Sequence, residues 1–406
     1  MSVCFEIKKC EVCGSTDLTQ VLDLGSHPMC DDLIPIDSND ECQTFPINIL
    51  YCNQCYTAHQ KYQVPKLKLF PKTYHYRSRF TADVLSGMDA LVDSVQTNLG
   101  SLSGLTVLDV GCNDGSLLDK FSKRGATTIG VEPTGAYADA GGRGHIILND
   151  FLSEATARKI LCAHPRIDVI TFTNVFAHIE NLPELLKILS VLISDKTTLV
   201  IENHYLGSVL EKNQFDTFYH EHPRTYSLNS FIHIARELGR EVNAVEFPKR
   251  YGGNVRVIIG KGGLSSPGVT SLLNKTLERE QGYLNQFNQM DSFISCWQKS
   301  KKNQLVKMVR ENGGLIAKAF PGRAAILIKL LDLTSNELEC VYEKPKSLKI
   351  GYYLPGTRIP IRSDEELFKN INKQKNIVNL AWHIPLEINC YLRENGFCGN
   401  LINIID

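Results

Sequence analysis

The sequence predicts an α/β protein in three parts: a small metal-stapled N-terminal module, a doubly wound core on a largely parallel sheet, and a second α/β domain. Three observations carry this reading. Two CxxC pairs stand within the first 78 residues, a stretch without long helical periodicity. From about residue 79, strand patterns alternate with helix patterns, and the alternation closes on two strands with no helix between them. After a polar helical stretch at 266–312 the strand–helix alternation begins again. The boundaries so read are 1–78, 79–262 and 263–406.

The chain has 406 residues, 43% hydrophobic and 22% charged, the composition of a soluble globular protein. At roughly 100–200 residues per domain, that length suits two or three domains. Lys+Arg and Asp+Glu both number 44, so the formal net charge is zero. That excludes the electrostatic excess that drives sequence-independent binding to nucleic acid or anionic membranes. The densest basic run is only Lys299-Ser-Lys-Lys302. The opening MSVCFEIKK carries charge where a signal peptide needs its apolar region, so no targeting segment is expected. No stretch approaches the ~18 apolar residues of a membrane-spanning helix. The 13 cysteines are odd in number and too sparse for a disulfide scaffold, which points to metal binding in a reducing cytoplasm.

In the N-terminal module, Cys10-Glu-Val-Cys13-Gly14 and Cys52-Asn-Gln-Cys55 form two knuckles with 38 residues between them. Each CxxC turn presents two thiolates to one ion, and two turns complete a tetrahedral four-sulfur site that suits zinc. All four positions come from protein, so the ion is structural. A redox pair would need a βαβ context, which is missing here. The apolar runs at 19–24 and 45–51 read as strands, and the long loop between the knuckles must carry its own hairpin.

In the core, a helix at 80–97 leads to the strand 105–110, a helix at 115–124 and the strand 127–132. The strand 167–173, a helix at 182–193 and the strand 198–202 follow. Strands separated by helices imply a parallel sheet covered on both faces. The closing pair, 241–246 and 254–260, forms a hairpin on one edge, the arrangement of class I, Rossmann-like methyltransferases.

Asp109-Val-Gly111-Cys-Asn113-Asp114-Gly115 lies between a strand and a helix, and Glu132 follows Gly111 by 21 residues at the end of the next strand. An acid there is the ribose-diol partner in nucleotide-type folds. The third glycine of GxGxxG, which lets backbone approach a pyrophosphate, is absent. S-adenosylmethionine has no pyrophosphate and fits better than NAD. Asp150, after the third strand, is a candidate for adenine, and Asn174 closes the fourth strand in Thr173-Asn-Val-Phe-Ala-His178.

After the fifth strand comes Gln214-Phe-Asp-Thr-Phe-Tyr219-His220-Glu221-His222. Four consecutive polar, titratable side chains are an unusual core sequence, whereas beside a cofactor edge they suit acid–base work. Histidine is a base near neutral pH, and a neighbouring Glu or Tyr can orient it or steady an oxyanion. Metal ligation by His220-Glu-His222 would need helical spacing and a further ligand. Tyr74-His-Tyr76-Arg-Ser78-Arg79, at the first domain junction, either lines a pocket or packs the junction.

Together these pieces resemble the sugar C-methyltransferases that build branched deoxysugars of the mycarose and tetronitrose type. The likeness spans nearly the whole chain: CxVCG with the second CxxC, VLDxGxNDGxLL at 107–118, GVEPT at 130–134, NVxAH at 174–178 and QFDTxYHEH at 214–222. It continues in GGNVRV at 252–257 and LPGTRIPI at 354–361. The resemblance implies transfer of a methyl from S-adenosylmethionine to C3 of a nucleotide-linked 4-keto-6-deoxysugar, with dTDP the usual carrier. His222 would then be the base, with Tyr219 and Glu221 placing the sugar or steadying the enolate, and Tyr76 and His178 holding substrate. The last domain would contribute to substrate binding. The chain departs from the family at the turn Lys318-Ala-Phe-Pro-Gly-Arg-Ala324, at Arg79 where the family has Ser, and at Tyr251 where His often precedes GG.

O-methylation of a sugar or other small molecule, with the same His222 as base, is the alternative. A nucleic-acid-binding zinc ribbon would need interleaved basic and aromatic residues, which are missing. A non-catalytic scaffold fits poorly with the intact Tyr-His-Glu-His run. The expected partner is the nucleotide-linked sugar, with no nucleic acid and no membrane, and a monomer is the default state.

Overall fold

The computed structural model describes residues 4–70, 77–80, 82–262 and 267–406. The chain divides into two compact units, each gathered from three stretches. The first holds Met1–Val21, Ile49–Gln214 and Glu221–Gln286; the second holds Leu22–Asn48, Phe215–His220 and Phe287–Asp406.

The first unit is built on a seven-stranded sheet. In chain order its strands are β1 (Thr106–Val110), β2 (Thr127–Val131), β3 (Ile146–Leu148), β4 (Val169–Thr173), β5 (Thr198–His204), β6 (Glu241–Glu246) and β7 (Asn254–Gly260). Their spatial order is 3-2-1-4-5-7-6. β7 runs antiparallel to both of its neighbours, while the other pairs are parallel. This is the class I methyltransferase arrangement that the closing hairpin predicted. Strands buried on both faces read as apolar runs, and Val107, Leu108, Ile170, Phe172 and Ile201 are all fully buried. The helix Ala82–Leu99 lays Val84, Met88, Leu91, Val92 and Val95, one stripe of a 3.6-residue period, on Val107, Val169 and Val200. Each such side chain contributes about 1.5–3 kcal/mol by leaving water. The chain order reverses between β1 and β4, and ligands of open α/β sheets bind at the carboxyl ends beside such a switch point.

The first unit also carries a small antiparallel ladder. Ala58–Gln60 pairs on one side with Ile49–Tyr51 and on the other with Arg224–Thr225, more than 160 residues later. The two runs expected to be extended are the strands Leu18–Pro28 and Thr44–Cys52, which are neighbours as the long inter-knuckle loop required.

The second unit contains a five-stranded parallel sheet in the order Ile361–Ser363, Leu338–Glu343, Leu315–Lys318, Asn376–Asn379, Asn400–Asn403. Ile316, Cys340, Leu367, Ile377, Leu392 and Phe397 share its core. The polar stretch resolves into two helices, Pro267–Glu280 and Tyr283–Asn312. Although the sequence also reads as a strand over 347–351, that run is a turn, and the extended piece is Tyr352–Tyr353, paired with Ile34–Pro35. Lys346 at φ 73° and Gly351 at φ 90° put left-handed backbone at both ends of the run, which a strand cannot hold.

Candidate active site and metal centre

Each cysteine knuckle is followed by a left-handed residue, Gly14 at φ 74° and Tyr56 at φ 61°. The turns close by hydrogen bonds from Gly14 N–H to Cys10 O (2.9 Å) and from Tyr56 N–H to Cys52 O (2.9 Å). The sulfurs of Cys10, Cys13, Cys52 and Cys55 all lie within 4.8 Å of one another, with Cys10–Cys55 at 3.4 Å and Cys13–Cys52 at 3.6 Å. A tetrahedral zinc with ~2.3 Å arms needs sulfur–sulfur edges of about 3.8 Å. The donor set therefore fits a structural zinc ion with all four positions filled by protein.

The cofactor turn leaves β1 through Gly111 (φ 73°), Asn113 (φ 50°) and Gly115 (φ 78°). Gly111 N–H donates to Val131 O at 2.8 Å, and a Cβ at this position would stand 2.6 Å from a methyl of Val175. Glu132 braces the turn: its carboxylate accepts from Asn113 N–H at 2.9 Å and from Thr134 N–H and Oγ1 at 2.8 and 2.6 Å. Asp114 is fully buried and works inside the loop, accepting from Ser116 Oγ at 2.6 Å and from Arg79 N–H at 2.9 Å. Asn113 Oδ1 likewise accepts from Ser78 N–H at 3.0 Å. Asp109 accepts from Thr171 Oγ1 at 2.6 Å, and burial pushes its carboxyl up to about 7.

Asn174 ends β4 at φ 55° and accepts from Asn254 Nδ2 at 3.3 Å. Beside it, the buried Thr173 hydroxyl has no hydrogen-bond partner among the described residues. A glycine with no room for a side chain and an orphaned hydroxyl, both at the carboxyl edge, fit a bound S-adenosylmethionine. Asp150 stands on the surface after β3, where its carboxylate accepts from Phe151 N–H at 2.8 Å and Thr156 Oγ1 at 3.3 Å.

Three imidazoles gather at the same edge of the sheet. His178 lies on a 3-10 turn after β4, His204 ends β5, and His222 belongs to the Tyr-His-Glu-His run. The His222 ring centroid is 4.9 Å from that of His178 and 5.4 Å from that of His204. His178 Nδ1 donates to Glu221 O at 2.7 Å, and burial lowers its pKa. His222 and Glu221 are both buried. His204 escaped the sequence reading; the sole signal is that the apolar β5 run ends in Glu202-Asn-His204 at the ligand edge.

Tyr76 lies outside the described residues. Within the second unit, His220 is structural: its Nε2 donates to Phe45 O at 3.0 Å and burial holds its pKa down at about 4. Asp216 pairs with Arg323 at 3.1 Å and accepts from Trp382 Nε1 at 2.9 Å, while Arg323 donates to Thr217 Oγ1 at 3.2 Å. The divergent 318–324 turn is thus what receives Asp216-Thr217. Tyr219 belongs to this unit as well.

Among solved structures, magnesium protoporphyrin IX methyltransferase of Synechocystis PCC 6803 is 16% identical, covering 44% of this chain and 84% of its own, with a TM-score of 0.35. A ubiquinone biosynthesis O-methyltransferase of Rhodopseudomonas palustris (strain BisB5) is 28% identical over 93 residues, 22% of this chain and 36% of its own. The C-methyltransferase NovU of Streptomyces niveus is 27% identical over 390 residues, 94% of this chain and 91% of its own. Family models match in chain order: a zinc binding domain over 10–70, a methyltransferase domain over 80–245 and a C-methyltransferase C-terminal domain over 249–400. With its four-cysteine centre and its class I fold, the chain is an S-adenosylmethionine-dependent C-methyltransferase with a zinc-binding N-terminal domain, similar over nearly its whole length to NovU.

Proposed function

We propose that the enzyme methylates C3 of a dTDP-linked 4-keto-6-deoxysugar in branched deoxysugar biosynthesis, with His222 as the base. The observation that carries this reading is the histidine cluster. His222 is buried, its ring lies 4.9 Å from that of His178, and the preceding Glu221 carbonyl is pinned by His178 Nδ1 at 2.7 Å. A C4 ketone acidifies the C3 hydrogen. His222 takes that proton, the electron pair moves onto the C4 oxygen as an enolate, and C3 becomes the nucleophile. Bound S-adenosylmethionine supplies an electrophilic methyl group; Asp109, Gly111, Asn113, Asp114, Gly115, Glu132, Asp150 and Asn174 would hold it. Glu221, Tyr219 and Tyr76 are assigned to the sugar by motif alone.

The same reading divides the chain at 1–78, 79–262 and 263–406, with the last part shaping the sugar site. It also sets the enzyme in a reducing cytoplasm.

The test is a panel of nucleotide-linked 4-keto-6-deoxysugars incubated with S-adenosylmethionine and followed by mass spectrometry. The expected product is heavier by one CH₂ with the methyl on carbon, preceded by deuterium wash-in at C3. His222→Asn should lower turnover about 10²–10⁴-fold while cofactor affinity stays within about twofold. A methyl on oxygen would establish O-methylation instead, and full turnover in the variant would remove His222 as the base.

A further inference from the structure

Arg224 lies two residues beyond His222 and is completely buried. Its Nη1 is 2.5 Å from Glu11 Oε2, and its Nε donates to Tyr226 Oη at 3.0 Å. Glu11 sits between the zinc ligands Cys10 and Cys13, and the same carboxylate oxygen accepts from Gln63 Nε2 at 2.7 Å. His59 completes the line: its Nδ1 is 3.8 Å from Glu11 Oε2 and its Nε2 is 3.3 Å from Cys10 Sγ. The backbone repeats the connection. Arg224 stands opposite His59 in the antiparallel ladder, and Gln60 N–H donates to Pro223 O at 2.8 Å. The second knuckle is tied in too, since Ser227 Oγ donates to Cys55 O at 3.0 Å.

A guanidinium held away from water needs a fixed counterion, and removing that counterion strands a charge. Glu11 can be that counterion only while the Cys10–Cys13 turn keeps its shape, and a bound ion fixes that shape. Outer-shell partners of metal ligands in turn tune the hold on the metal. We propose that Arg224 is a positioning residue, through which the zinc site, by way of Glu11 and His59, sets the placement of His222. The inference rests on the reading of His222 as the base, because only then does its placement govern turnover. Metal occupancy and base geometry become two ends of one coupling, and such a coupling is reciprocal.

The test uses the zinc-loaded full chain as wild type, Arg224→Lys, and the double variant Glu11→Gln/Arg224→Met, which removes both charges together. Zinc affinity is read by competition with a chromogenic chelator. The His222 imidazole resonance is read by NMR, identified by its loss in His222→Asn. Expected are a fall in zinc affinity of about 10–100-fold and a displaced His222 resonance in both variants, with lowered kcat and unchanged affinity for S-adenosylmethionine. If the double variant does not fold, Arg224→Lys decides on the same readouts. Zinc affinity within twofold of wild type, or an unmoved His222 resonance, overturns the coupling. Neither readout needs a sugar. If both move and no sugar is methylated, the coupling stands and the substrate reading falls; if sugars are methylated and neither moves, the coupling alone falls.

Discussion

Gly111→Ala puts the geometry of the cofactor turn to a quantitative test. The residue sits at φ 73°, and an added Cβ would stand 2.6 and 2.8 Å from the two methyls of Val175. Left-handed backbone costs a residue with a side chain about 1–2 kcal/mol. Carbon atoms rest at ~3.5–4.0 Å, so the methyl must drive Val175 aside by about 1 Å, an overpacking cost of about 1–3 kcal/mol. The sum is about 2–5 kcal/mol. At about 2–4 °C per kcal/mol, the first unit should unfold about 4–20 °C lower. Val175 adjoins Asn174, so S-adenosylmethionine affinity should fall as well.

Thermal unfolding and calorimetric titration with S-adenosylmethionine measure the two effects. The deciding variant is Gly111→Ala/Val175→Ala, which removes the obstructing methyls but leaves the backbone strain. Val175→Ala should destabilise the wild type yet leave the Gly111→Ala background no less stable, a coupling of about 1 kcal/mol or more. If Val175→Ala costs the same in both backgrounds, the contact does not limit the turn. If Gly111→Ala melts and binds cofactor like wild type, the account of this glycine is wrong.

Burial holds the Asp109 carboxyl near 7, above its ordinary value, so the folded state binds that proton more tightly than the unfolded chain does. Its stability contribution is complete below about pH 4 and is lost as pH rises through 7, reaching about 4 kcal/mol of relative destabilisation by pH 8. Asp109→Asn should therefore lose less stability than wild type between pH 5 and pH 8 in urea unfolding; parallel profiles would contradict this. In the second unit, Lys318 and Asp364 form an ion pair at 3.0 Å, with side chains 1% and 0% exposed. Lys318→Met leaves the buried Asp364 carboxylate without its counterion, held only by the Tyr391 hydroxyl at 2.8 Å among the described residues, and should cost about 3–5 kcal/mol by denaturant titration, much of it recovered by Lys318→Met/Asp364→Leu. A loss under about 1 kcal/mol would show that solvent reaches the site.

What could be read from the sequence was local. The hairpin strands β6 and β7 match their expected ranges: the run 255–259 is rich in strand formers, and no helix pattern separates it from β6. The zinc knuckles were legible because each CxxC presents two thiolates to one side of a turn, and two such turns outside a βαβ context suit one ion. The strand Leu315–Lys318 went unseen: it is buried throughout and shows no alternation, and the charge of Lys318 is met by Asp364 far down the chain. His204 carried no motif, only a position at a strand end. The Arg224–Glu11 pair joins residues 213 apart, and the Arg323 contact with Thr217 spans 106; no periodicity reports such distances.

The ladder that joins Ala58–Gln60 to Arg224–Thr225 also sets a schedule for biosynthesis. The four cysteines leave the ribosome early, but the strand that covers the free edge of Ala58–Gln60 is made about 165 residues later. At roughly 5–20 residues per second, that is a wait of about 8–33 s. During it the nascent chain can already capture its metal while one sheet edge stays open to any other extended polypeptide. The N-terminal module is therefore among the first parts of the protein to be synthesised and among the last to be finished. A release factor acting before residue 225, or a premature stop codon anywhere upstream of it, would leave a metal-loaded fragment with a permanently uncovered edge, which is a substrate for chaperones and proteases.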